Sequence, residues 1–556
     1  MNSLRAELRD ELLAERELPV DAYQRLMESR LDWPIVEGLN LAHECCDRWA
    51  DDPSKIALTV HRPDSTPRSW TYRELMDTSC ALANVLREAG LERGDRVAAL
   101  LDQGAEAYIC ALAAWRAGLA YVPLFVGFGV DALAQRLETA DVSAVVVDAS
   151  YRERYTSVAT QLTGDPRVLT VGNEAGTGAI AGDLDFWERV RGADTKFETV
   201  VTRHDECATL IFSSGTTGKP KGCMQAHSLV LPLQSFLRHT MAADDSDVIF
   251  AGANPGWSYG LYTTGLIVQS LGIRRVVYAG VFNAAQWLRV IREEQVTYVA
   301  SAPSAFRVLI DEARSSGSLP DCVRGGMSAG EQLLPVVADG WREIGGGHLQ
   351  DGYGSSEFGM VLADLAFDEI SSGSGKLSVV PGFDVDLIDA AGESQRSEGI
   401  IALRDARWPI LGYKDLQEVW ASRFVGPYLT TGDLAARDDQ DRYRIVGRAD
   451  DLIVTAGYNV GPAEVENIIE EIPGVADVAV VAAPDEQRGS IVRAVIVADG
   501  TVAQDEISEQ VQRVVREQLG RHAYPKVIDY VEELPRTETG KVRKNVLRAQ
   551  TKGGVA

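Results

Sequence analysis

The sequence predicts an α/β protein: a large N-terminal domain of mostly parallel sheets with packed helices, joined by a hinge to a small α+β C-terminal domain. Short apolar strands alternate with amphipathic helices from about residue 55, which implies crossover connections and a buried, mostly parallel sheet. Near Arg442 the composition changes to short strands with two helices, enough for a compact domain of roughly 100 residues. The length of 556 residues suits one large domain plus a small one.

The alternation is clearest before residue 150. Thr71 with Glu74 three residues later forms a capping box, and Gly90 is expected to end the helix that follows. Apolar residues at helical spacing line one face of this helix, namely Leu75, Leu82, Val85 and Leu86. A second helix is expected at 106–117, closed by Gly118. The buried strands predicted here are 97–101, 120–125 and 142–147.

The same rhythm continues in the second half of the large domain. Residues 209–212 and 296–300 are predicted to be short buried strands. Asn283 with Gln286 three residues later caps a helix. The apolar residues of that helix are Trp287, Leu288 and Ile291. The Ser/Gly-rich segment 371–376 is short, so we expect a loop there.

Beyond Arg442 the pattern predicts the small domain. One helix starts at Pro462, because proline is favoured at the first helical position, and a second helix ends before Gly520. The apolar residues of the second helix are Val511, Val514, Val515 and Leu519. The predicted strands are 443–446, 478–481, 492–497 and 527–531. We place the boundary near Asp450 and therefore expect domains at 1–449 and 450–556.

The N-terminal segment and the cysteines bear on the compartment. Residues 1–17 are dense in charge and carry Leu4, Leu8 and Leu12 at helical spacing, which predicts an amphipathic helix and not a signal peptide. No apolar run approaches about 18 residues, so no membrane insertion is expected. The seven cysteines are odd in number, scattered and without a C-x-x-C pair. This pattern indicates reduced buried thiols in a cytoplasmic protein.

The overall charge limits the class of partner. A net charge of −26 argues against a nucleic-acid partner and against an anionic membrane surface. An anionic small molecule would therefore need a site that is basic locally.

One stretch could supply such a basic site. It follows the predicted strand 209–212 and reads Ser213-Ser214-Gly215-Thr216-Thr217-Gly218-Lys219-Pro220-Lys221-Gly222. Glycines let backbone N–H groups turn inward, hydroxyls donate hydrogen bonds and lysines add positive charge, so this loop can wrap a chain of phosphates. It is not the common P-loop, because only two residues separate Gly215 from Gly218 and Pro220 follows Lys219.

Further motifs lie closer to the C-terminus. In Asp351-Gly352-Tyr353-Gly354-Ser355-Ser356-Glu357 the turn could present an aromatic face to a planar base, and the Glu357 carboxylate could hold Mg²⁺. Asp433 follows Gly432 at a predicted strand end, where a carboxylate suits a ribose diol. The segments 447–451 and 455–459 lie at the expected domain boundary, and the charged tail segment spans 535–544.

Together these motifs occur in the order and spacing of the adenylate-forming superfamily, which the chain resembles from about residue 40 to residue 550. That superfamily contains acyl-CoA synthetases, luciferases and peptide-synthetase adenylation domains. The branch that this chain resembles is that of acyl-CoA synthetases, of the medium-chain or aryl and alicyclic acid type. The resemblance implies that ATP activates a carboxylic acid as an acyl-adenylate, with Mg²⁺, and that the acyl group then passes to CoA.

The resemblance also implies a role for each motif residue. The phosphates of ATP are assigned to Ser213, Ser214, Gly215, Thr216, Thr217, Gly218 and Lys221. Adenine is assigned to Gly330, Glu331, Asp351, Gly352, Tyr353 and Gly354. The α-phosphate, Mg²⁺ and ribose are assigned to Ser356, Glu357, Asp433 and Arg448. The hinge, the pantetheine segment and the catalytic lysine are assigned to Asp450, Gly457 with Tyr458, and Lys541.

Physical logic supports two different arrangements of the small domain. Attack of a carboxylate on the α-phosphate brings negative charges together, and Lys541, Mg²⁺ and the loop donors lower that barrier. Attack of a thiol on the adenylate has no need of this lysine, whereas Gly457 leaves room for a narrow thiol arm. One small domain that carries both elements is expected to rotate about Asp450 between the steps.

The acid pocket is expected beside residues 254–262. Its candidate walls are His227, Trp257, Tyr259, Tyr262, Met327, Phe358 and Met360. Apolar walls favour an acid larger than acetate.

Some positions depart from the usual family pattern and leave alternatives open. Ser356 stands where threonine is usual, and Asn459 stands where related ligases often place arginine, a phosphate-binding residue. An enzyme that performs mainly one half-reaction, either thioesterification of a supplied acyl-adenylate or transfer to the pantetheine of a carrier protein, fits the same motifs. The oligomeric state also stays open between monomer and homodimer.

Parts of the sequence also fit two other classes of protein. Residues 326–330 fit the hydrolase pattern G-x-S-x-G with 322–324 as the preceding strand, which makes a serine hydrolase at Ser328 a remote alternative. Its histidine would be His348 or His522. A binding module that kept the fold without the chemistry is disfavoured, because the predicted catalytic groups are all present.

Overall fold

The computed structural model describes residues 3–35, 38–63, 65–172, 180, 182–203, 205–213, 220–331, 333–368, 373–404, 410–449, 451, 453–455, 458–485, 489–521, 523–536 and 542–550. The chain forms two compact units, which are described separately: unit 1 is residues 1–384 with 405–423, and unit 2 is residues 385–404 with 424–556. This division groups residues 385–404 and 424–449 with the C-terminal residues. The predicted boundary at residue 450 concerns a mobile domain and stays a prediction.

Unit 1 contains two large sheets. In spatial order, the described strands of the first sheet are Ser378–Val379, Gly359–Ala363, His348–Ser355, Gly325–Ala329, Tyr298–Ser301, Val248–Ala251, Arg274–Tyr278, Ile56–His61 and Arg68–Thr71. Its six inner strands are parallel, and antiparallel strands flank them at both edges. The expected mostly parallel sheet is therefore confirmed.

The second sheet of unit 1 has the same character. In spatial order, its described strands are Ile410–Tyr413, Lys221–Ala226, Cys207–Ser213, Ala120–Leu124, Arg96–Leu100, Ala144–Asp148, Arg167–Val171 and Leu184–Asp185. The strands from Cys207–Ser213 onward are parallel, whereas the first two run antiparallel to their neighbours. The carboxyl ends of the parallel strands therefore share one edge.

Helices cover these sheets and bury their apolar faces. The described α-helices of unit 1 are Ser3–Arg16, Val20–Glu28, Leu41–Cys45, Tyr72–Glu88, Ala105–Arg116, Val130–Ala140, Arg152–Ala159, Phe186–Gly192, Val230–Met241, Ile267–Ser270, Ala284–Glu293, Pro303–Ser316, Pro335–Glu343 and Gln417–Ala421. Short 3₁₀ turns lie at Asp47–Trp49, Ala149–Tyr151 and His227–Leu229. A π-helix at Tyr259–Leu266 is kinked at Gly265, whose backbone is not helical. Separate buried cores fill the space between helices and sheets.

The predicted helix starts are confirmed in detail. Thr71 Oγ1 accepts from Glu74 N at 3.1 Å, and Glu74 Oε2 accepts from Thr71 N at 2.8 Å, so the capping box is complete. Asn283 Oδ1 accepts from Gln286 N at 3.0 Å. These bonds satisfy N–H groups that the first turn of a helix leaves unpaired.

The expected N-terminal helix is also present. It spans Ser3–Arg16 and buries Leu12 and Glu15. Glu15 pairs with Arg238 at 3.1 Å and with His239 at 3.3 Å, which ties the segment to the helix Val230–Met241. No helix among the described residues combines the length and the apolar character needed to cross a membrane.

Unit 2 has the expected α+β character. An antiparallel sheet contains Val385–Ile388, Glu398–Arg404, Tyr428–Arg437, Phe424–Val425 and Tyr443–Arg448. The remaining described strands are Ile453–Thr455 with Tyr458–Val460, and Val475–Asp485 with Gly489–Ala498 and Val527–Tyr530. The helices are Pro462–Glu470, Gln504–Gln518 and Lys544–Gln550. The predicted proline start and the buried Val511 and Val515 are confirmed.

Candidate active site

The two ends of the predicted phosphate loop face each other across a strand pair. The strand Cys207–Ser213 runs antiparallel to Lys221–Ala226, which we call the exit strand, and the ladder ends where Ser213 pairs with Lys221. This end lies at the edge where the parallel strand Ala120–Leu124 also terminates. The other residues predicted to contact the phosphates, Ser214, Gly215, Thr216, Thr217 and Gly218, lie outside the described residues.

The exit strand holds the turn that carries the predicted metal ligand. Gln225 Nε2 donates to the Ser356 carbonyl at 2.7 Å, and Cys223 Sγ donates to the same oxygen at 3.3 Å. Glu357 N donates to Ser355 Oγ at 3.1 Å. The structure therefore brings the end of the loop and the 355–357 turn together, as the sequence predicted only through resemblance.

Tyr413 connects these two groups. Its hydroxyl donates to Glu357 Oε1 at 2.9 Å, and Lys221 Nζ lies 5.3 Å from the centroid of its ring. Burial, and then the nearby Glu357 charge, raises the pKa of Tyr413 above its ordinary value, so the hydroxyl stays protonated and can donate. Sequence reasoning missed Tyr413, because its place depends on pairing between the strand Ile410–Tyr413 and the exit strand.

The chemistry of this corner fits a magnesium ion only when a phosphate is present. Among the described residues, no group of three or more His, Cys, Asp or Glu side chains could hold a metal ion. Mg²⁺ is commonly bound by one or two carboxylates together with substrate phosphates. Glu357, placed beside the end of the phosphate loop, meets that requirement.

The predicted adenine residues lie on neighbouring strands of the first sheet. Ala329 pairs with Gly352 in parallel register, so Gly330 and Glu331 leave their strand beside the 352–354 segment. Gly330 has φ +93°, a conformation that L side chains rarely adopt, and it is exposed. The turn predicted at 352–354 is instead part of the strand His348–Ser355, and the chain turns at 356–358. A Cβ at Gly354 would collide with the Gly359 carbonyl oxygen, so only glycine fits this position of the strand.

Asp351 is a buried carboxyl group at this place. Burial, and then the charge of Asp364, raises its pKa to about 7, although the Gly352 N–H donates to Asp351 Oδ1 at 2.9 Å. A group with this pKa holds a proton in the folded protein between pH 4 and 7, where the unfolded chain has lost it. The native state is therefore penalised increasingly as pH rises through this window.

Replacing Asp351 with asparagine should remove that penalty. We expect the stability of Asp351→Asn, relative to the wild type, to improve from pH 4 to pH 8 by up to about 4 kcal/mol, because each pKa unit corresponds to about 1.4 kcal/mol. Thermal unfolding of the ligand-free protein at both pH values measures the change. Asp131→Asn, at an exposed carboxyl, is the control. A stability difference for Asp351→Asn that is equal at pH 4 and pH 8 would contradict the assignment.

Trp257, a predicted wall of the acid pocket, belongs to an aromatic cluster. Trp257 packs against Phe125 with ring centroids 5.2 Å apart and against Phe128 at 5.4 Å. Both phenylalanines follow the carboxyl end of the strand Ala120–Leu124, and sequence reasoning missed them. Two aromatic residues directly after a predicted parallel strand form a pattern from which the sequence could have predicted them as pocket residues.

The π-helix Tyr259–Leu266 follows this cluster directly. Tyr259 OH donates to the Met327 carbonyl at 3.1 Å, which ties the π-helix to the first sheet. π-helical turns are rare and occur frequently at functional sites. This hydrogen bond joins two of the predicted walls, Tyr259 and Met327.

Other predicted pocket residues have contacts typical of the core. Tyr262 donates to Thr209 Oγ1 and stacks on Trp115. His227 Nδ1 accepts from Leu41 N at 3.1 Å, and burial lowers the pKa of His227 to about 3, so this histidine is neutral and a weak base. Phe358 and Met360 are also buried. Their roles as pocket walls stay predictions.

The predicted ribose ligands pair with each other in unit 2. Asp433 and Arg448 lie opposite on paired strands, and Arg448 Nη1 is 3.2 Å from Asp433 Oδ1. Gly432, which directly precedes Asp433, has φ +79°. Asp450, Gly457 and Lys541 lie outside the described residues, as does the Tyr458 side chain.

The hydrolase interpretation of Ser328 is wrong. Ser328 lies inside the buried strand Gly325–Ala329, whereas a nucleophilic serine in this motif needs a sharp turn from strand to helix. Residues 322–324 precede the strand and are not part of it. Ser328 Oγ has no hydrogen-bond partner within the described part of the chain, and His348 Nε2 pairs with Asp364 Oδ2 at 2.7 Å.

Comparison with known families gives two matches. Residues 46–413 match the family described as AMP-binding enzyme, and residues 464–541 match the family described as AMP-binding enzyme C-terminal domain. The first match contains the exit strand, the 351–357 turn and Tyr413.

Relatives match over nearly the full length. Acyl-coenzyme A synthetase ACSM4, mitochondrial, of Rattus norvegicus is 30% identical, covering 96% of this chain and 94% of its own. The uncharacterized acyl–CoA ligase YtcI of Bacillus subtilis (strain 168) is 29% identical, covering 92% and 95%. The Brucella canis acyl-CoA synthetase structure has a TM-score of 0.75 at 31% identity, covering 98% and 99%. ATP-bound MatB from Rhodopseudomonas palustris has a TM-score of 0.81 at 27% identity, covering 93% and 99%.

Proposed function

The chain belongs to the AMP-binding enzyme family and is an acyl-CoA synthetase, and we propose its mechanism from that premise. Its substrates are a carboxylic acid, ATP and CoA. In the first step the carboxylate attacks the α-phosphate of ATP, pyrophosphate leaves and an acyl-adenylate forms. In the second step the CoA thiol attacks the acyl carbonyl, and AMP leaves with the electron pair of the broken C–O bond.

The single observation that carries this proposal is the corner formed by Lys221, Glu357 and Tyr413. An ammonium group and a carboxylate contact the same tyrosine at the end of a loop rich in hydrogen-bond donors. Phosphoryl chemistry needs positive charge and a metal-binding oxygen side by side, because the negative charge of both reactants must be neutralised.

The residues of unit 1 bind and orient the nucleotide. Lys221 and the loop bind the phosphates, and Glu357 would hold Mg²⁺, which would neutralise part of the negative charge of the phosphates. Ser356 contacts the α-phosphate, and its backbone is fixed because Gln225 donates to its carbonyl at 2.7 Å. Adenine lies against Gly330, which follows the strand Gly325–Ala329, and against the 351–354 segment of the neighbouring parallel strand.

In unit 2, Asp433 accepts from the ribose hydroxyls. Arg448 Nη1, 3.2 Å from Asp433 Oδ1, fixes the orientation of that carboxylate. Both roles rest on the family pattern and on this ion pair. The rest of unit 2 contributes Lys541 for the first step and Gly457 for the second.

The acid lies against apolar side chains. Trp257 with Phe125 and Phe128 forms an aromatic surface beside the edge where the phosphate loop starts. A surface of this kind favours an apolar tail larger than that of acetate, such as a medium-chain, aryl or alicyclic acid. His227 does not act as the base, because its ring nitrogen Nδ1 already accepts a backbone hydrogen bond.

Residues 450–556 act as a mobile domain that rotates about Asp450 between the two steps. Lys541 serves the first step, and Gly457 with Tyr458 lines the path of the pantetheine arm in the second. The protein works in the cytoplasm as a monomer or homodimer. A variant of this proposal, in which the chain performs mainly one half-reaction or transfers the acyl group to a carrier protein, uses the same residues.

A thioester assay tests the proposal. ATP, Mg²⁺ and CoA are incubated with a panel of acetate, medium-chain, aryl and alicyclic acids, and acyl-CoA, AMP and pyrophosphate are measured. We expect turnover with at least one of the larger acids and little with acetate. Single-turnover reactions with acid plus ATP, and with synthetic acyl-adenylate plus CoA, separate the two steps. Absence of both half-reactions across the panel would contradict the proposal.

A further inference from the structure

Tyr413 contacts both the predicted metal ligand Glu357 and the predicted phosphate-binding residue Lys221. Its hydroxyl donates to Glu357 Oε1 at 2.9 Å, and its ring face lies 5.3 Å from Lys221 Nζ. The side chain is almost fully buried. One side chain thus sets the separation between a carboxylate and an ammonium group.

Neighbouring contacts fix Tyr413 itself. Its strand pairs with the exit strand in the register Tyr413–Cys223, and Lys414 N donates to the Gly222 carbonyl at 2.8 Å. The Trp420 ring packs edge-on against the tyrosine ring, with centroids 5.3 Å apart and an interplanar angle of 84°. Because these contacts hold the Tyr413 ring in place, the ring fixes the positions of Glu357 and Lys221.

The two contacts have different chemical consequences. A hydroxyl that donates to a carboxylate fixes the plane of the carboxylate and leaves its negative charge in place, which a metal ligand requires. A ring face attracts an ammonium group without neutralising it, so the lysine keeps its charge for a phosphate. An acidic residue in place of the tyrosine would neutralise the lysine and repel the glutamate.

We propose that Tyr413 is a positioning residue that presets the metal-binding Glu357 and the phosphate-binding Lys221 for Mg²⁺–ATP. This inference rests on the proposed function and adds to it a residue that acts through two others. Through Glu357, the Tyr413 hydroxyl determines how strongly ATP binding depends on Mg²⁺. Through Lys221, the Tyr413 ring contributes to the ATP affinity that remains without Mg²⁺.

Calorimetric titration of ATP without the acid substrate tests this inference, because no turnover occurs. In Tyr413→Phe we expect ATP affinity at saturating Mg²⁺ to fall about tenfold, the size of one hydrogen bond to a charged group, while affinity in EDTA stays unchanged. In Tyr413→Leu we expect both affinities to fall. The KM for CoA should stay unchanged in both variants.

A matched control and a double variant sharpen the test. Tyr428 OH donates to Asp386 Oδ2 at 3.2 Å within unit 2, so Tyr428→Phe removes a similar bond elsewhere and should leave the Mg²⁺ dependence unchanged. If Tyr413 acts through Glu357, Tyr413→Phe/Glu357→Gln should bind Mg²⁺–ATP no more weakly than Glu357→Gln alone.

The outcomes are distinct. Wild-type protein that fails to bind ATP in any condition would remove the proposed function. Wild-type binding that depends on Mg²⁺, with Tyr413→Phe identical to it, would overturn this inference alone. Additive losses in the double variant would also overturn it, because the tyrosine would then act independently of the glutamate.

Discussion

Replacing Lys541 with alanine should slow formation of the acyl-adenylate by about 10²- to 10³-fold, the usual loss when one preorganised donor to a developing charge is removed. Transfer of a supplied acyl-adenylate to CoA should stay within about threefold of wild type, because no bond to phosphorus forms or breaks in that step. Single-turnover release of pyrophosphate and formation of the thioester measure the two rates separately.

The neighbouring Lys544 provides a matched control for this lysine. Its ammonium pairs with Glu466 at 2.7 Å, so Lys544→Ala removes a lysine of the same tail that already has a structural partner. We expect adenylation by Lys544→Ala to stay close to that of the wild type. Equal slowing of both half-reactions in Lys541→Ala would contradict the assigned role and point to a loss of folding.

Replacing Gly457 with leucine should have the opposite effect. We expect thioester formation to fall about 100-fold, since a side chain in the path of the thiol arm displaces the reacting sulfur, and adenylation to persist. The same two single-turnover measurements apply. Retained pyrophosphate release would show that the variant is folded, so the loss would belong to the second step.

A second glycine of unit 2 separates obstruction from backbone strain. Gly500 has φ +81° and no heavy atom within 4 Å of the place where a Cβ would lie, and it is exposed. Gly500→Leu therefore strains the backbone without blocking anything and should leave both steps intact. Rapid thioester formation by Gly457→Leu would show that the arm does not pass this residue.

The elements that the sequence predicts well are those with local causes. The capping box of Thr71 and Glu74, the cap at Asn283 and the proline start at Pro462 depend on neighbours within four residues, and the structure has all three. The strands predicted in the large domain agree with the structure to within two residues, because buried parallel strands are short apolar runs bounded by polar turns. In the small domain, the strand predicted at 478–481 is longer and spans Val475–Asp485.

What the sequence could not predict depends on pairing between distant segments. Tyr413 reaches Glu357 only because its strand pairs with the exit strand nearly 190 residues earlier. The sequence around Ser328 fits a hydrolase motif, whereas the structure shows that Ser328 lies inside a buried strand. Phe125 and Phe128 become candidate pocket residues only because they pack against Trp257, which lies about 130 residues later in the chain.

The pairing of Ser213 with Lys221 has a consequence for nucleotide binding. This last rung joins both stems of the predicted phosphate loop to the sheet, so the sheet fixes the spacing between the two stems. Substitutions between the stems can therefore change nucleotide affinity, while the framework underneath remains as it is.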